Sequence, residues 1–124
     1  MKYLCLIYAC EQTLRCMPGL ELQRIVDECH AYQARLQAAG HYLAGAALES
    51  VETATTLRVR AGRVGIADGP FAQTAEQLAG FYLIDADGLH EALHLAAAIP
   101  AARLGSVEVR PVRSLEALSA AAIP

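Results

Sequence analysis

Lys2 to Tyr8 reads as a β-strand that is apolar on both sides, and this limits the folds open to the chain more than any other stretch. Side chains alternate across a pleat, so Leu4, Leu6 and Tyr8 share one face while Tyr3, Cys5 and Ile7 share the other. An antiparallel sheet with a solvated side normally turns polar residues to it. A strand without such residues needs cover on both faces.

The elements that follow supply cover for one face only. Leu20 to Ala39 has helical periodicity, with Leu22, Ile25, Val26, Cys29, Tyr32, Gln33 and Leu36 on one broad stripe, and Gly40 stops it. His41 to Leu48 is a strand rich in Ala and Gly. Ala54 to Arg60 alternates as a half-exposed strand does, and Arg63 to Ala67 returns as the second arm of a hairpin. Leu78 to Ile84 is the next strand. A helix over about Gly88 to Ala98 follows, with Leu89, Leu93, Ala96 and Ala97 inward, and Pro100 ends it. Val107 to Val112 is a last strand, and Ser114 can cap a short helix over Leu115 to Ala122. The order β-α-β-β-(β)-α-β is that of an α+β, ferredoxin-like βαββαβ fold with an extra hairpin arm. Both helices then lie on one face of the sheet. The expected cover for the bare face is a second copy of the chain, in a homodimer with two sheets face to face.

The 124 residues fit one domain and suffice for a core. Net charge is −3 with dispersed Lys and Arg, which argues against a nucleic-acid surface. The longest apolar stretch, around Ala92 to Ile99, is interrupted by His94 and is far shorter than the ~20 residues of a membrane span. No secretory signal is evident, so the cytoplasm is the expected location. Cys5, Cys10, Cys16 and Cys29 form no CxxC pair and read as free thiols. Cys5 and Cys29 suit a core, whereas Cys10 and Cys16 suit more open positions.

Three features could carry chemistry. Asp68-Gly69-Pro70-Phe71 ends an apolar segment in a covalently constrained loop: Gly reaches dihedrals closed to other residues, and Pro fixes its own φ. The loop therefore holds a carboxylate and an aromatic ring at a strand end. His90-Glu91-Ala92-Leu93-His94 is a literal HExxH, but its polar residues lie opposite Leu89 and Leu93, where a solvated helix face explains them, and no metal is expected. His30 sits at the edge of the first helix's stripe and His41 at a strand start, and no P-loop, GxSxG or dinucleotide fingerprint occurs. The remaining candidates gather from segment ends: Glu76, Tyr82, Arg103, Glu108 and Arg110, with Tyr8 on the first strand. Asp68 or Glu76 could act as a base, Tyr82 as a proton donor and Arg110 as an anion clamp.

The run DGPFAQTAEQLAGFYLIDADGLHEALHLAAAIPAARLGSVEVRPV, with the opening MKYLCLIYA and the stretch TATTLRVR, resembles the YCII-related, or DGPF-domain, family. The resemblance spans nearly the whole chain up to Arg113, which sets a domain at 1–113 and a helical tail at 114–124. It implies a dimeric α+β barrel of bacterial type and a motif cluster at Asp68, Gly69, Pro70, Phe71, Glu76, Gly80, Tyr82, Arg103, Glu108 and Arg110. One branch of the family is proposed to be enzymatic, with a His on the first helix and an Asp just before the Pro that ends the second. Here that position is Ile99 and His30 is only near the expected His, so the pair is not carried over. Two functions follow as expectations. The first is a small-molecule pocket between helix, sheet and Asp68 loop, binding an anionic ligand through Tyr8, Phe71, Arg103, Glu108 and Arg110. Cofactor-free acid/base chemistry there would use Asp68, Glu76 and Tyr82. The alternative is a non-catalytic module working with an extracytoplasmic-function sigma factor, as some relatives are placed beside or fused to one.

Overall fold

A computed structural model describes residues 1–122. Its elements run β1 (Lys2–Ala9), α1 (Glu11–Arg15), α2 (Gly19–Ala38), β2 (Tyr42–Ala47), β3 (Thr55–Arg60), β4 (Arg63–Asp68), β5 (Gln77–Asp85), α3 (Leu89–Ala97), β6 (Ser106–Pro111) and α4 (Leu115–Ala122). Four strands form one antiparallel sheet in the order β2-β5-β1-β6. Because α2 carries the chain from β1 to β2 with space between them for β5, this is the split βαβ arrangement of a ferredoxin-like fold. Strands β3 and β4 pair only with each other, as the expected extra hairpin.

Alternation along β1 decides where the core lies. Tyr3, Cys5, Ile7 and Ala9 are buried, and the strand register aligns Tyr3 with Ile84, Cys5 with Tyr82 and Ile7 with Gly80 on the same face. Helices α2 and α3 close over that face with Tyr32, Leu36, Ala92 and Ala96, and Ile99 completes the cluster. Ile84 and Ile99 are almost fully excluded from water, and each such side chain contributes about 1.5–3 kcal/mol through burial.

The opposite face carries Leu4, Leu6 and Tyr8 beside Leu83, Phe81 and Leu78, with Arg110, Glu108 and Ser106 along β6. These apolar side chains remain partly exposed. The ribbon is barer still: every residue of β4 is exposed, and in β3 only Thr56 is partly covered, where a half-exposed strand is expected.

One helix is additional to those expected, and the reading of another changes. The connection after Cys10 contains the short helix α1, whose Glu11 carboxylate accepts from Ser50 Oγ and from the Val51 amide, both at 2.8 Å. In α3, Leu89 and Leu93 are 52% and 49% exposed, while Ala92 is fully buried. The helix approaches the sheet closely through its alanines, and a small side chain suits that contact better than Leu. The tail is helical from Leu115, with the Ser114 hydroxyl accepting from the Ala117 amide at 3.0 Å. Residues 123–124 of the expected tail lie outside the described residues.

Candidate functional site

The cavity with the clearest wall lies between α2 and the sheet. The C-terminal half of the α2 stripe, Tyr32 and Leu36, is buried, but Leu22 and Val26 are more than a third exposed and Ile25, Cys29 and Gln33 are half-covered. The sheet explains the difference. Under this half of the helix, β2 and β5 present Gly45, Ala47 and Gly80 on the core-side face, and these side chains are too small to fill the gap. The space left is about 340 Å³, lined by Val26, Cys29, His30 and Gln33 from the helix and by Ile7, Gly45 to Ala47, Ala79 to Tyr82 and Ala101. That is the size of a pocket for a small organic molecule.

Tyr82 lines this cavity together with the polar Cys29, His30 and Gln33. Its ring lies across Gly45, where an added Cβ would stand 2.8 Å from Tyr82 Cδ1 and 3.1 Å from the Phe81 carbonyl oxygen. Only glycine allows that approach. Tyr32 and Tyr42 hold the ring edge-on, with centroids 5.5 Å and 6.4 Å away, in the geometry that aromatic quadrupoles favour. Burial raises the Tyr82 phenol pKa, with smaller contributions from Cys29 and Tyr42, so it stays protonated and can donate. The neighbouring Tyr32 hydroxyl donates to the Leu95 carbonyl at 2.7 Å. Among the described residues the Tyr82 hydroxyl has no hydrogen-bond partner.

The other sequence candidates are distributed over the molecule. Asp68 and Phe71 line a separate open groove of about 450 Å³ on the ribbon, with Thr56, Arg58 and Gly65 to Pro70. Gly69 there has φ 101°, a conformation that L side chains rarely adopt, which is why the loop needs glycine. Arg58 Cζ stands 5.0 Å over the Phe71 ring, a cation–π contact worth about 0.5–1 kcal/mol at an exposed site. Glu76 Oε1 accepts from the Ser106 hydroxyl at 2.7 Å. Arg103 pairs with Glu28 at 2.6 Å on the surface. Glu108 and Arg110 lie along β6 on the bare sheet face, 3.9 Å apart, and Tyr8 is on the same face. Within one chain, Tyr82 therefore lies in the cavity, while Asp68 and Phe71 share a different feature.

His30 lines the cavity. The HEALH stretch lies on α3 with both histidines exposed; Glu91 accepts from the Asp87 amide at 3.1 Å and stands 3.9 Å from His41 Nδ1. Among the described residues, no group of three or more His, Cys, Asp or Glu side chains converges as a metal site. All four cysteines are free, Cys5 buried and Cys16 exposed, and burial pushes the Cys5 thiol up to about 11.

Sequence reasoning passed over Cys29, Gln33 and Gly45 as site residues. The available signal was the Ala- and Gly-rich composition of β2, which reads as a weak strand. Small residues beneath an amphipathic helix also mean unfilled volume.

The YCII-related domain matches residues 1–116. An uncharacterised protein of Rhizobium meliloti (strain 1021) is 40% identical over 114 residues, covering 90% of this chain and 92% of the relative. On both findings the chain belongs to the YCII-related family.

Proposed function

We propose that this is a cytoplasmic, homodimeric small-molecule-binding protein whose ligand occupies the cavity between α2 and the sheet. The observation that carries this reading is the cavity itself, walled by small residues and lined by the partly buried Tyr82, whose ring two further tyrosines hold edge-on. The lining contains no carboxylate, Lys or Arg. The ligand is therefore a compact, largely apolar molecule with one hydrogen-bond acceptor, held by Tyr82 and met at the rim by His30 and Gln33. This revises the expected anionic ligand. The arginines proposed to hold a charge do not line the cavity: Arg103 is engaged by Glu28, and Arg110 lies on the bare face.

The side chains in the lining able to give or take a proton are the His30 imidazole, the Cys29 thiol and the Tyr82 hydroxyl. Without a carboxylate in the lining, binding is favoured over turnover. Four free thiols support the cytoplasmic location. The partly exposed Leu4, Leu6, Phe81 and Leu83 support dimerisation through the bare sheet face.

The test is a thermal-shift screen with small lactones, phenols, ketones and carboxylates. A bound ligand raises apparent stability by mass action, about 2.7 kcal/mol at a hundred times Kd. Neutral compounds with an acceptor should stabilise the wild type and lose the effect in Tyr82→Phe and in Val26→Trp, which fills the mouth. Hits that survive both substitutions but vanish in Asp68→Asn would move the site to the ribbon groove.

A further inference from the structure

A second cleft, of about 240 Å³, lies where the C-terminal turns of α2 and α3 meet the start of β2, and it shares no lining residue with the cavity beside Tyr82. Tyr32, Leu36 and Leu95 give it an apolar wall, and Arg35, His41 and His94 are its charged or titratable side chains. No carboxylate lines it.

The end of α2 fixes His41. With Gly40 at φ 80°, the Gly40 amide donates to the Gln37 carbonyl at 3.1 Å and the His41 amide to the Leu36 carbonyl at 2.9 Å, the paired bonds of a Schellman stop. His41 Nδ1 lies 2.8 Å from the Asp85 carbonyl oxygen. A carbonyl oxygen can only accept, so Nδ1 carries a proton, and among the described residues Nε2 has no partner. The acids nearby are engaged elsewhere. Glu91 accepts from the Asp87 amide at 3.1 Å and stands 3.9 Å from His41 on its Nδ1 side, and the Asp85 carboxylate pairs with the N-terminal amine at 3.1 Å. Arg35 Cζ lies 5.9 Å over the Tyr32 ring. Among the described residues neither Arg35 nor His94 pairs with a carboxylate. Both lie in the last turns of their helices, where a positive side chain complements the helix dipole.

We propose that this cleft binds a small organic oxyanion, a carboxylate or a phosphate or sulfate monoester. Its charge lies among Arg35, His41 and His94, and its apolar part lies against Tyr32, Leu36 and Leu95. Arg offers a planar fork of donors that can meet two oxygens at once. A cation is the poorer fit, because backbone acceptors at the cleft are already used: the Leu95 carbonyl receives the Tyr32 hydroxyl, and the Arg35 and Leu36 carbonyls receive backbone amides. The imidazoles set a condition. With Nδ1 protonated, a neutral His41 presents only a lone pair at Nε2, so an oxyanion is met there by the imidazolium and binding takes up a proton. The ligand differs in class from that of the cavity, and His94 of the HEALH stretch acquires a role that needs no metal.

The experiment is isothermal titration calorimetry at constant ionic strength with sulfate, phenyl sulfate and benzoate. These probes keep their charge while His titrates, between about pH 6 and about pH 8. Phenyl sulfate should bind more tightly than sulfate and severalfold more tightly at the lower pH. Its heat should vary with the ionisation enthalpy of the buffer, which reports the proton taken up. Arg35→Gln and His94→Gln should each weaken binding about tenfold, with unchanged circular dichroism, because both residues are exposed. Arg60→Gln removes the same charge on the ribbon and should leave binding unchanged. A loss in Arg60→Gln equal to that in Arg35→Gln would mean general attraction to positive charge and overturn the site. An affinity that is flat with pH overturns the imidazole contacts on which the site rests. Absence of binding by all three anions at millimolar concentration overturns the proposal, as does Zn²⁺ binding that depends on His94 without any oxyanion binding.

Discussion

The four-stranded sheet and the β3–β4 ribbon are built from the same antiparallel hydrogen-bond ladder, and both alternate along their strands. In β1 the odd positions disappear beneath α2 and α3, whereas in β4 no residue is buried. The ladder is therefore not what separates a core strand from a ribbon. Each backbone hydrogen bond replaces one made to water, so its net contribution is only about 0.5–1.5 kcal/mol, and it is burial that distinguishes the two regions. What the ribbon has instead is a set of ties at its base. The Gly69 amide donates to Ala54 O at 2.7 Å and Thr56 Oγ1 donates to Gly69 O at 2.8 Å. Ahead of the ribbon, Glu11 and Arg15 of α1 clasp Ser50, Val51 and Glu52.

The widest test of this contrast replaces one isoleucine in each region. Ile84→Ala empties a fully buried site and should cost about 2–5 kcal/mol in urea denaturation. Ile66→Ala, at low protein concentration where any partner is lost, should stay within about 0.5 kcal/mol. Equal losses at the two positions would mean that the ribbon is packed within its own chain after all.

A finer comparison stays inside the sheet body. Tyr32→Phe removes the donor to the Leu95 carbonyl and should cost about 1 kcal/mol, while Tyr82→Phe removes a hydroxyl without a partner and should leave stability nearly unchanged. A loss at Tyr82 matching that at Tyr32 would reveal a structural role for the hydroxyl and weaken its assignment to a ligand.

The smallest effect concerns the ribbon's base. The Val51 amide, the Ser50 hydroxyl and, to a lesser degree, Arg15 hold the Glu11 carboxyl below its usual range. Because this carboxyl titrates lower in the folded chain than in the unfolded one, its contribution is complete above the ordinary Glu range of ~4.3 and fades as pH falls through the lowered value. Amide exchange in residues 51–69 should therefore quicken on acidification below about pH 4 relative to exchange in β1, after correction for intrinsic rates. In Glu11→Gln these amides should exchange faster already at neutral pH, and the additional acid response should vanish. An acid response that persists in Glu11→Gln would assign it to another carboxylate.

Much of this architecture was legible because its signals are local. The two-sided strand, the stripe from Leu22 to Leu36, the stop at Gly40 and the Pro that ends α3 each act through neighbouring residues, and the strand order follows from their alternation. The inward set of α3 was misread because Leu89 and Leu93 look like core residues by type. How closely α3 approaches the sheet determines that Ala92 and Ala96 are buried instead. The site was legible only in pieces. Tyr82 could be singled out by position, but its setting depends on Gly45 from another strand and on Tyr32 from the helix above.

By itself, then, the amino-acid sequence determined the family, the order of elements and the left-handed turn at Gly69, since these rest on motif order, periodicity and the dihedral freedom of one residue. Only the tertiary structure decided which small residues underlie α2 and leave a cavity, and that Asp68 and Tyr82 belong to different features. Volume and proximity between distant segments are properties of packing, and no local pattern along the chain encodes them.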